Sequence, residues 1–513
     1  MRFTKSLSLA AISAAIFALL GPPPALASKR PRYGGTLRVE LSATSVSFDP
    51  RSWKPGSPAA GDSEKLAALL YDRLVTLDDY GRFQPALALE WVHDPSSKLW
   101  QFKLRPAVKF SDGSALTPKD VIAALQPLFP AGFQVSPSES GVQIRAPRPA
   151  PDLLEQLASS HYFIFRIQPD GSPIGTGPFT LAENSVSSSS EATSAPLKPA
   201  HLKFRARADA WSGRPFLDAI DVTLGNPPLR QVLDLQVGRA DIVDLPPDLI
   251  RKAQQENLRV WSSHPDTLLA LRLDDAQPGS ADPRFREALD LALDRDTMAN
   301  VLLQRQALPA VALLPQWLSG YAFLFGTSMN LDRAKALHTS LPAGSAGAHE
   351  PIRMRVDAVG DVMKILGERV AVNARQANIP VELVPRSTSS TVTPPAPAIG
   401  LHLFAWHYDS LSPRVELQAL AQHLHSEVPA DTIEEPVNPE KLFAQERRLL
   451  YERQVLPLLL LPKYIGIAPA VRNWSAEPSG AWRLADVWLE PTESLTSNPP
   501  ADTGRTTAPG GHP

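Results

Sequence analysis

The sequence predicts an α/β protein, and three observations carry that expectation. Stretches with the two-residue alternation of a half-buried strand recur between stretches whose apolar residues return every three to four positions. Strands and helices that alternate along a chain pack as layers. Hydrophobic residues make up 43% of the 513 positions and charged residues 20%, enough for a large core and too little charge bias for a disordered chain. At about 150 residues per domain, this length is roughly three domains' worth of chain.

The elements follow in order. Residues 34–41 place Leu37, Val39 and Leu41 in alternation with polar residues, a strand, and Trp100, Phe102 and Leu104 repeat the pattern. Between them Ser63 to Leu77 reads as a helix with Leu66, Leu69, Leu70 and Leu74 on one face, followed by a turn at Asp78-Asp79-Tyr80-Gly81. Thr117-Pro118-Lys119-Asp120 starts a second helix: Thr117 caps, proline suits the first position, and Asp120 closes a capping box. Asp282-Pro283 starts a third, with Phe285, Ala288, Leu289, Ala292 and Leu293 on one face. Helical patterns recur at Leu331–His338, Val362–Ala377 and 440–454, with strands at Ile379–Val384 and in the apolar run from Val455. Ser185–Pro199, Arg386–Pro397 and 492–513 are Ser/Thr/Pro-rich and are expected to be irregular, the last a disordered tail. No tandem repeat is visible.

Composition excludes several functions. Lys+Arg total 51 and Asp+Glu 53, a net charge of −2, which argues against a nucleic-acid partner. Cysteine is absent, so disulfides, thiolate metal sites and a cysteine nucleophile are ruled out. Proline is abundant, 52 residues, which predicts many turns. The N-terminus reads as a signal peptide over residues 1–27: Arg2 and Lys5, an apolar run Leu7–Leu20, then an Ala25-Leu26-Ala27 cleavage site. Cleavage removes two cations and no acid, moving the net charge from −2 to −4. The competing reading is an uncleaved anchor helix, for which the run is short. No later stretch has the length of a membrane span, so the expected location is the periplasm.

Motifs for catalysis are missing. There is no Gly-x-Ser-x-Gly elbow, no His-Glu-x-x-His and no phosphate-binding Gly-x-x-x-x-Gly-Lys. His349-Glu350 is followed by Pro351, which breaks the helix a zinc motif needs. Gly175-Thr176-Gly177 reads as a tight turn beside a strand. The chain is expected to be no enzyme and to need no cofactor.

Several blocks carry a resemblance in collinear order. They are Tyr33-Gly34-Gly35-Thr36-Leu37, Ser47-Phe48-Asp49-Pro50, Tyr71-Asp72-Arg73-Leu74-Val75, Trp100 to Val121, Gly175 to Phe179, Trp211 to Asp218, Gly238 to Ile242 and Phe285 to Arg295. Over roughly residues 33–490 the chain resembles the family 5 extracellular solute-binding proteins, the peptide-, dipeptide- and nickel-type binding components of ABC importers. The resemblance implies a two-lobed periplasmic binding protein of type II, cluster C-like. Residues 28–50, 166–265 and 470–491 would form lobe I, 51–165 an extra subdomain of that lobe, and 266–469 lobe II. A monomer would enclose a peptide or small-molecule ligand between closing lobes and present it to ABC permease subunits in the inner membrane.

The resemblance also implies site residues. Members often carry Trp-x-x-Asp followed by Tyr-Pro-Asp-Pro, with the aspartate pairing to a peptide's α-ammonium. Here Trp406, Asp409 and Pro413 match, in the run Trp406-His407-Tyr408-Asp409, but Ser410-Leu411-Ser412 replaces the usual triplet and the segment up to the helix at 440 is shorter. Trp406, His407, Tyr408 and Asp409 are therefore candidate ligand contacts from one lobe, and Thr44, Ser45, Val46 and Ser47 from the other. Two structural roles compete for Asp409: capping a helix that starts near Ser412, or pairing with Arg414. The loop 44–47 competes with an ordinary turn. Histidines 402, 407, 423 and 425 lack the spacing of a ligand set, so no metal site is expected. A sugar, metal chelate or glutathione-like ligand, or a sensor without transport, remain the alternatives.

Overall fold

The computed structural model describes residues 30–491, apart from 55, 79, 183–199, 276, 278–279, 321–324, 327–328, 343–349, 359, 386–397, 426–438 and 478–481. The segments expected to be a signal peptide (1–27), irregular stretches (185–199 and 386–397) and a tail (492–513) lie outside the described residues.

One 11-stranded sheet runs through the described chain. Its order is Phe179–Leu181, Ala200–Ala206, Ala219–Leu224, Thr36–Leu41, Ile242–Asp244, Val455–Ile467, Arg259–Leu273, Leu401–His407, Ile352–Val356 and Val381–Val384, with Leu308–Pro309 also paired to Val455–Ile467. Thr36–Leu41 pairs in parallel with both its neighbours, and Ile352–Val356 does the same, while the central strands are antiparallel. A separate four-stranded antiparallel sheet is built from Ala88–His93, Leu99–Leu104, Gly141–Arg145 and Gln134–Ser138.

Arg259–Leu273 and Val455–Ile467 are the long strands, and they tie together two sets of core residues. One core holds Leu37, Phe102, Phe204 and Ile242 with Ile465 and Ile467. Two further cores, around Leu271, Phe285 and Leu403 and around Leu268, Phe404 and Trp406, take residues between 268 and 460. Between the cores the ladder breaks: register shifts fall between Ser262 and Pro265 and between Pro265 and Thr267, with Pro265 opposite Pro462. Neither proline has an N–H to donate, so pairing is weakest where the cores separate.

Local signals placed most helices. Thr117 N–H donates to Asp120 at 2.8 Å, closing the expected box on helix Pro118–Leu125, and Asp282 accepts from Arg284 N–H at the start of Pro283–Ala292. The helix expected over Ser63–Leu77 instead spans Pro58–Leu70, and Val75–Leu77 is a strand paired with Phe83–Pro85. Leu74 is buried from extended chain, so it continued the helical spacing without being helical. Packing ends the helix: Gly177 N–H donates to the Leu70 carbonyl at 2.9 Å, and a Cβ on Gly175 would sit 1.9 Å from that same oxygen. The Gly-Thr-Gly turn thus anchors the end of Pro58–Leu70, the helix that carries half of the site below.

Candidate functional site between the two halves

Strand Leu401–His407 alternates its faces. Phe404 and Trp406 point to one core, Leu401, Leu403 and Ala405 to the other. Past the strand the chain turns through Asp409–Leu411 into helix Pro413–His423, whose N-cap Ser412 accepts from Val415 N–H. Glu416 in that first turn reaches back. It accepts from the N–H groups of Asp409 and Ser410 and, at 3.1 Å, from Trp406 Nε1. This buried carboxyl group holds the 406–412 turn in shape.

The other half brings the loop at Gly56 and helix Pro58–Leu70. Gly56 N–H donates to Asp409 Oδ2 at 2.8 Å, and His407 N–H donates to the Gly56 carbonyl at 2.8 Å. Gly56 has φ +72°, and a Cβ there would lie 2.2 Å from the Trp406 ring. Only glycine fits. Behind it Asp62, Ser63, Glu64 and Lys65 are all buried, unusual for four consecutive polar residues in one helix. Lys65 Nζ pairs with Asp62 at 2.8 Å and approaches Asp244 at 3.6 Å, while Lys463 Nζ reaches Asp62 at 3.4 Å. Donor atoms of Glu64, His407 and Asp409 all lie within 4.8 Å of one another, with His407 Nε2 3.9 Å from Asp409 Oδ1. Among the described residues, Asp409 Oδ1 and Asp266 Oδ2 are buried without a hydrogen-bond partner.

The electrostatics follow from burial. Loss of water pushes the Glu64 carboxyl up to about 7, and burial, reinforced by the charges of Glu64 and Glu416, raises Asp409 well above the carboxylate range. Burial lowers His407, which favours the neutral imidazole. Asp62 goes the other way: burial opposes its charge, but the ammonium groups of Lys65 and Lys463 outweigh that and hold it low. The seam therefore has Asp62, paired with two ammonium groups, beside Glu64 and Asp409, where burial dominates.

The expected site residues divide between these surroundings. His407 and Asp409 come together at the seam. Trp406 is 2% exposed; its ring lies under Gly56 and its indole N–H is used by Glu416. Tyr408 turns into the core on the Trp406 face, its hydroxyl donating to the Leu313 carbonyl, so its ring lines no cleft. Thr44 and Ser45 are exposed, Val46 packs on the first core, and Ser47 serves its own turn: its carbonyl accepts from Trp53 Nε1 and its N–H donates to Ser63 Oγ. Neither competing role describes Asp409, because Ser412 is the helix cap and Arg414 pairs with Asp152 at 2.8 Å. That last pair is a second link between the halves, since Asp152 also accepts from Ser412 Oγ. Of the four histidines, only His407 joins the cluster; His402 bonds Asp357, and His423 lies against Phe404 and Trp406. Sequence reasoning missed Gly56, Asp62, Glu64, Lys65, Asp152, Glu416 and Lys463. The run Asp62-Ser63-Glu64-Lys65 inside an Ala/Leu-rich helix was the available signal.

Comparison with known proteins fits this architecture. The peptide-binding protein DppA of Helicobacter pylori, solved in complex with the peptide STSA, superposes with a TM-score of 0.72 at 16% identity, covering 90% of this chain and 99% of that one. NikA of Staphylococcus aureus in complex with Ni(L-His)2 gives 0.67 at 17% identity, covering 89% and 100%. These likenesses define a two-lobed α/β binding-protein fold. The sequence defines the family as well: residues 82–424 match the family described as bacterial extracellular solute-binding proteins, family 5 Middle, so the chain belongs to family 5 of the bacterial extracellular solute-binding proteins. Among curated relatives, the nickel-binding protein NikA of S. aureus is 23% identical over 330 residues, 61% of this chain and 64% of that protein, so the match stops just short of two thirds of the relative's length. The family and its structural relatives are binding proteins. No helix among the described residues is long and apolar enough to cross a membrane.

Proposed function

We propose that this protein captures a small cationic solute, a peptide held through its α-ammonium, between two closing lobes in the periplasm and delivers it as a monomer to the membrane permease of an ABC importer. The observation that carries the reading is Asp409 Oδ1, which has no hydrogen-bond partner among the described residues, in a seam contributed by both halves. An ammonium there forms a charge-assisted hydrogen bond, the strong kind, and removes the cost of a buried bare carboxylate. A ligand that touches both halves favours the closed arrangement by its differential contacts, so binding becomes a change of shape that a permease can recognise. On this reading lobe I comprises 28–50, 166–265 and 470–491 with subdomain 51–165, lobe II comprises 266–469, and the hinge lies where Pro265 opposes Pro462. The Gly56 loop is the part of lobe I that a ligand must share Asp409 with or displace.

The test is titration of the purified mature protein with di- to pentapeptides, read by tryptophan fluorescence and melting temperature, with native mass spectrometry of the freshly purified protein alongside. A saturable response and a co-purified peptide ladder are expected. No response to any peptide, with a co-purified sugar or glutathione-like mass, overturns the peptide assignment.

A further inference from the structure

We propose that the cavity beside the hinge, walled by Trp261 and Trp474, binds a second small ligand, an uncharged nitrogen heteroaromatic of one or two rings. The inference goes beyond the reading above and does not depend on what the lobes enclose. Shape, hydrogen-bonding groups and charge lead to the same ligand class.

The cavity holds about 500 Å³, the size of a small-molecule site. Its walls come from two stretches far apart in sequence, 261–264 at the entry to the hinge and 474–477 on the returning chain. The Trp261 and Trp474 rings meet at 72° with centroids 4.7 Å apart, an L-shaped corner. Trp474 is buried and also meets Trp482, at 68° and 6.3 Å, so one wall of the corner is fixed. Trp261 is half-buried and keeps part of its ring open. A third flat ring can stack on one indole of such a corner and meet the other edge-on, the two arrangements that aromatic rings prefer.

The hydrogen-bonding groups call for an acceptor. Trp474 is 6% exposed, and its Nε1 is buried with no partner among the described residues. A buried donor left unpaired is rare and costs free energy, so an acceptor carried by a guest meets a need already present. Ser262 is exposed and Ser475 half-buried in the lining, so both hydroxyls can turn toward a guest. Ser263 is occupied, because its Oγ accepts from Lys463 N–H at 2.8 Å. Charge removes the ionic classes. Glu477 is the one carboxylate in the lining, and no lysine or arginine lines it. Arg73 already holds Glu477 through two bonds of 2.7 Å, and Thr76 adds a third at 3.2 Å. His264, the other ionisable side chain of the lining, stacks on Trp317 of the second half with ring centroids 6.1 Å apart. Neither a cation nor an anion would find an unpaired carboxylate, ammonium or guanidinium here, whereas a ring nitrogen supplies an acceptor without charge.

The experiment is isothermal titration of the mature protein with adenine and benzimidazole, which carry ring-nitrogen acceptors, beside benzylamine and benzoate, which carry charge. Saturation-transfer NMR on the same samples detects binding that releases little heat. One site is expected, at least tenfold tighter for adenine or benzimidazole than for either charged ring. Trp261→Leu removes the open wall and should weaken binding at least tenfold, while Trp261→Phe keeps a flat ring and should restore most of it; circular dichroism checks that the variants fold. Ser475→Ala, the mildest change, should weaken binding about threefold to tenfold, the worth of one hydrogen bond. Absence of saturable binding by both methods overturns the site, and charged rings that bind as tightly overturn the ligand class. Unchanged affinity in a folded Trp261→Leu protein, or in Ser475→Ala where the leucine variant does not fold, overturns the placement. Displacement of adenine by a di- to pentapeptide would put the ring in the seam and overturn the placement as well.

Discussion

Gly56→Ala is the sharpest perturbation of the seam. The added methyl would lie 2.2–2.4 Å from three atoms of the Trp406 ring, more than 1 Å inside contact distance. Trp406 cannot yield cheaply: it is buried, its Nε1 is bonded to Glu416, and His423 lies 5.3 Å from its ring centroid. The loop must therefore lift, and two hydrogen bonds go with it, Gly56 N–H to Asp409 and His407 N–H to the Gly56 carbonyl. The first, to a carboxyl group, is worth roughly 1.5–3 kcal/mol and the second about 1 kcal/mol. The left-handed φ of +72° adds roughly 1–2 kcal/mol for any residue with a Cβ. The closed seam should lose about 3–6 kcal/mol in all, enough to shift an equilibrium between closed and open halves more than a hundredfold. Small-angle scattering of the ligand-free protein should show a larger radius of gyration, and acrylamide should quench one additional tryptophan. If scattering, quenching and melting temperature all match the wild type, Gly56 does not hold the halves together and the seam is misassigned.

Further outcomes follow from individual residues. Asp409→Asn should weaken peptide binding by roughly 1.5–3 kcal/mol, about ten- to hundredfold, by calorimetry; unchanged affinity would restrict Asp409 to holding the Gly56 loop. Arg414→Met leaves Asp152 with only the Ser412 hydroxyl and should lower stability to urea by about 2–3 kcal/mol, less than the 3–5 kcal/mol of a fully buried pair because Arg414 keeps some exposure. Glu446, buried and accepting from the N–H groups of Leu313 and Leu314, is pushed by burial from 4.5 up to about 7. Its contribution is complete below pH 4.5 and fades as pH rises through 7, by roughly 3 kcal/mol, so Glu446→Gln should flatten the fall of melting temperature between pH 5 and 8. Parallel slopes for the two proteins would contradict that.

What was legible in the sequence was local. A capping box needs only Thr117 and Asp120, and an Asp-Pro start needs only Asp282 and its neighbours, so those helices were readable. The Leu74 error shows the limit: spacing continued, but the Gly175–Gly177 backbone, more than a hundred positions away, ended the helix at Leu70. The site was half legible. A family-like motif pointed to residues 406–409 as a block, yet a strand splits consecutive residues between its faces. Trp406 and Tyr408 went to the core while His407 and Asp409 reached the seam. For Glu64 and Lys65 the polar run Asp62–Lys65 was the one local signal, because their burial depends on chain such as Lys463, some 400 positions distant.

The two contacts between the halves differ in a way that bears on how closure is controlled. Asp152 with Arg414 and Ser412 is balanced: one acid, one base and a hydroxyl, with bonds between 2.5 and 3.1 Å. It needs no third party. The Gly56–Asp409 seam is unbalanced: its lysines form their ion pairs with Asp62 and Asp244, while Asp409 Oδ1 and Asp266 Oδ2 accept no hydrogen bond among the described residues and burial outweighs the nearby cations at Glu64. A buried carboxylate without a partner must take up a proton or attract a cation. Closure of the empty protein is therefore held at its Asp152 side and costs free energy at its centre, whereas closure around a cation gains at both. The difference between these two closures is the only free energy a ligand has with which to shift the lobes, and in this chain it is concentrated on Glu64 and Asp409.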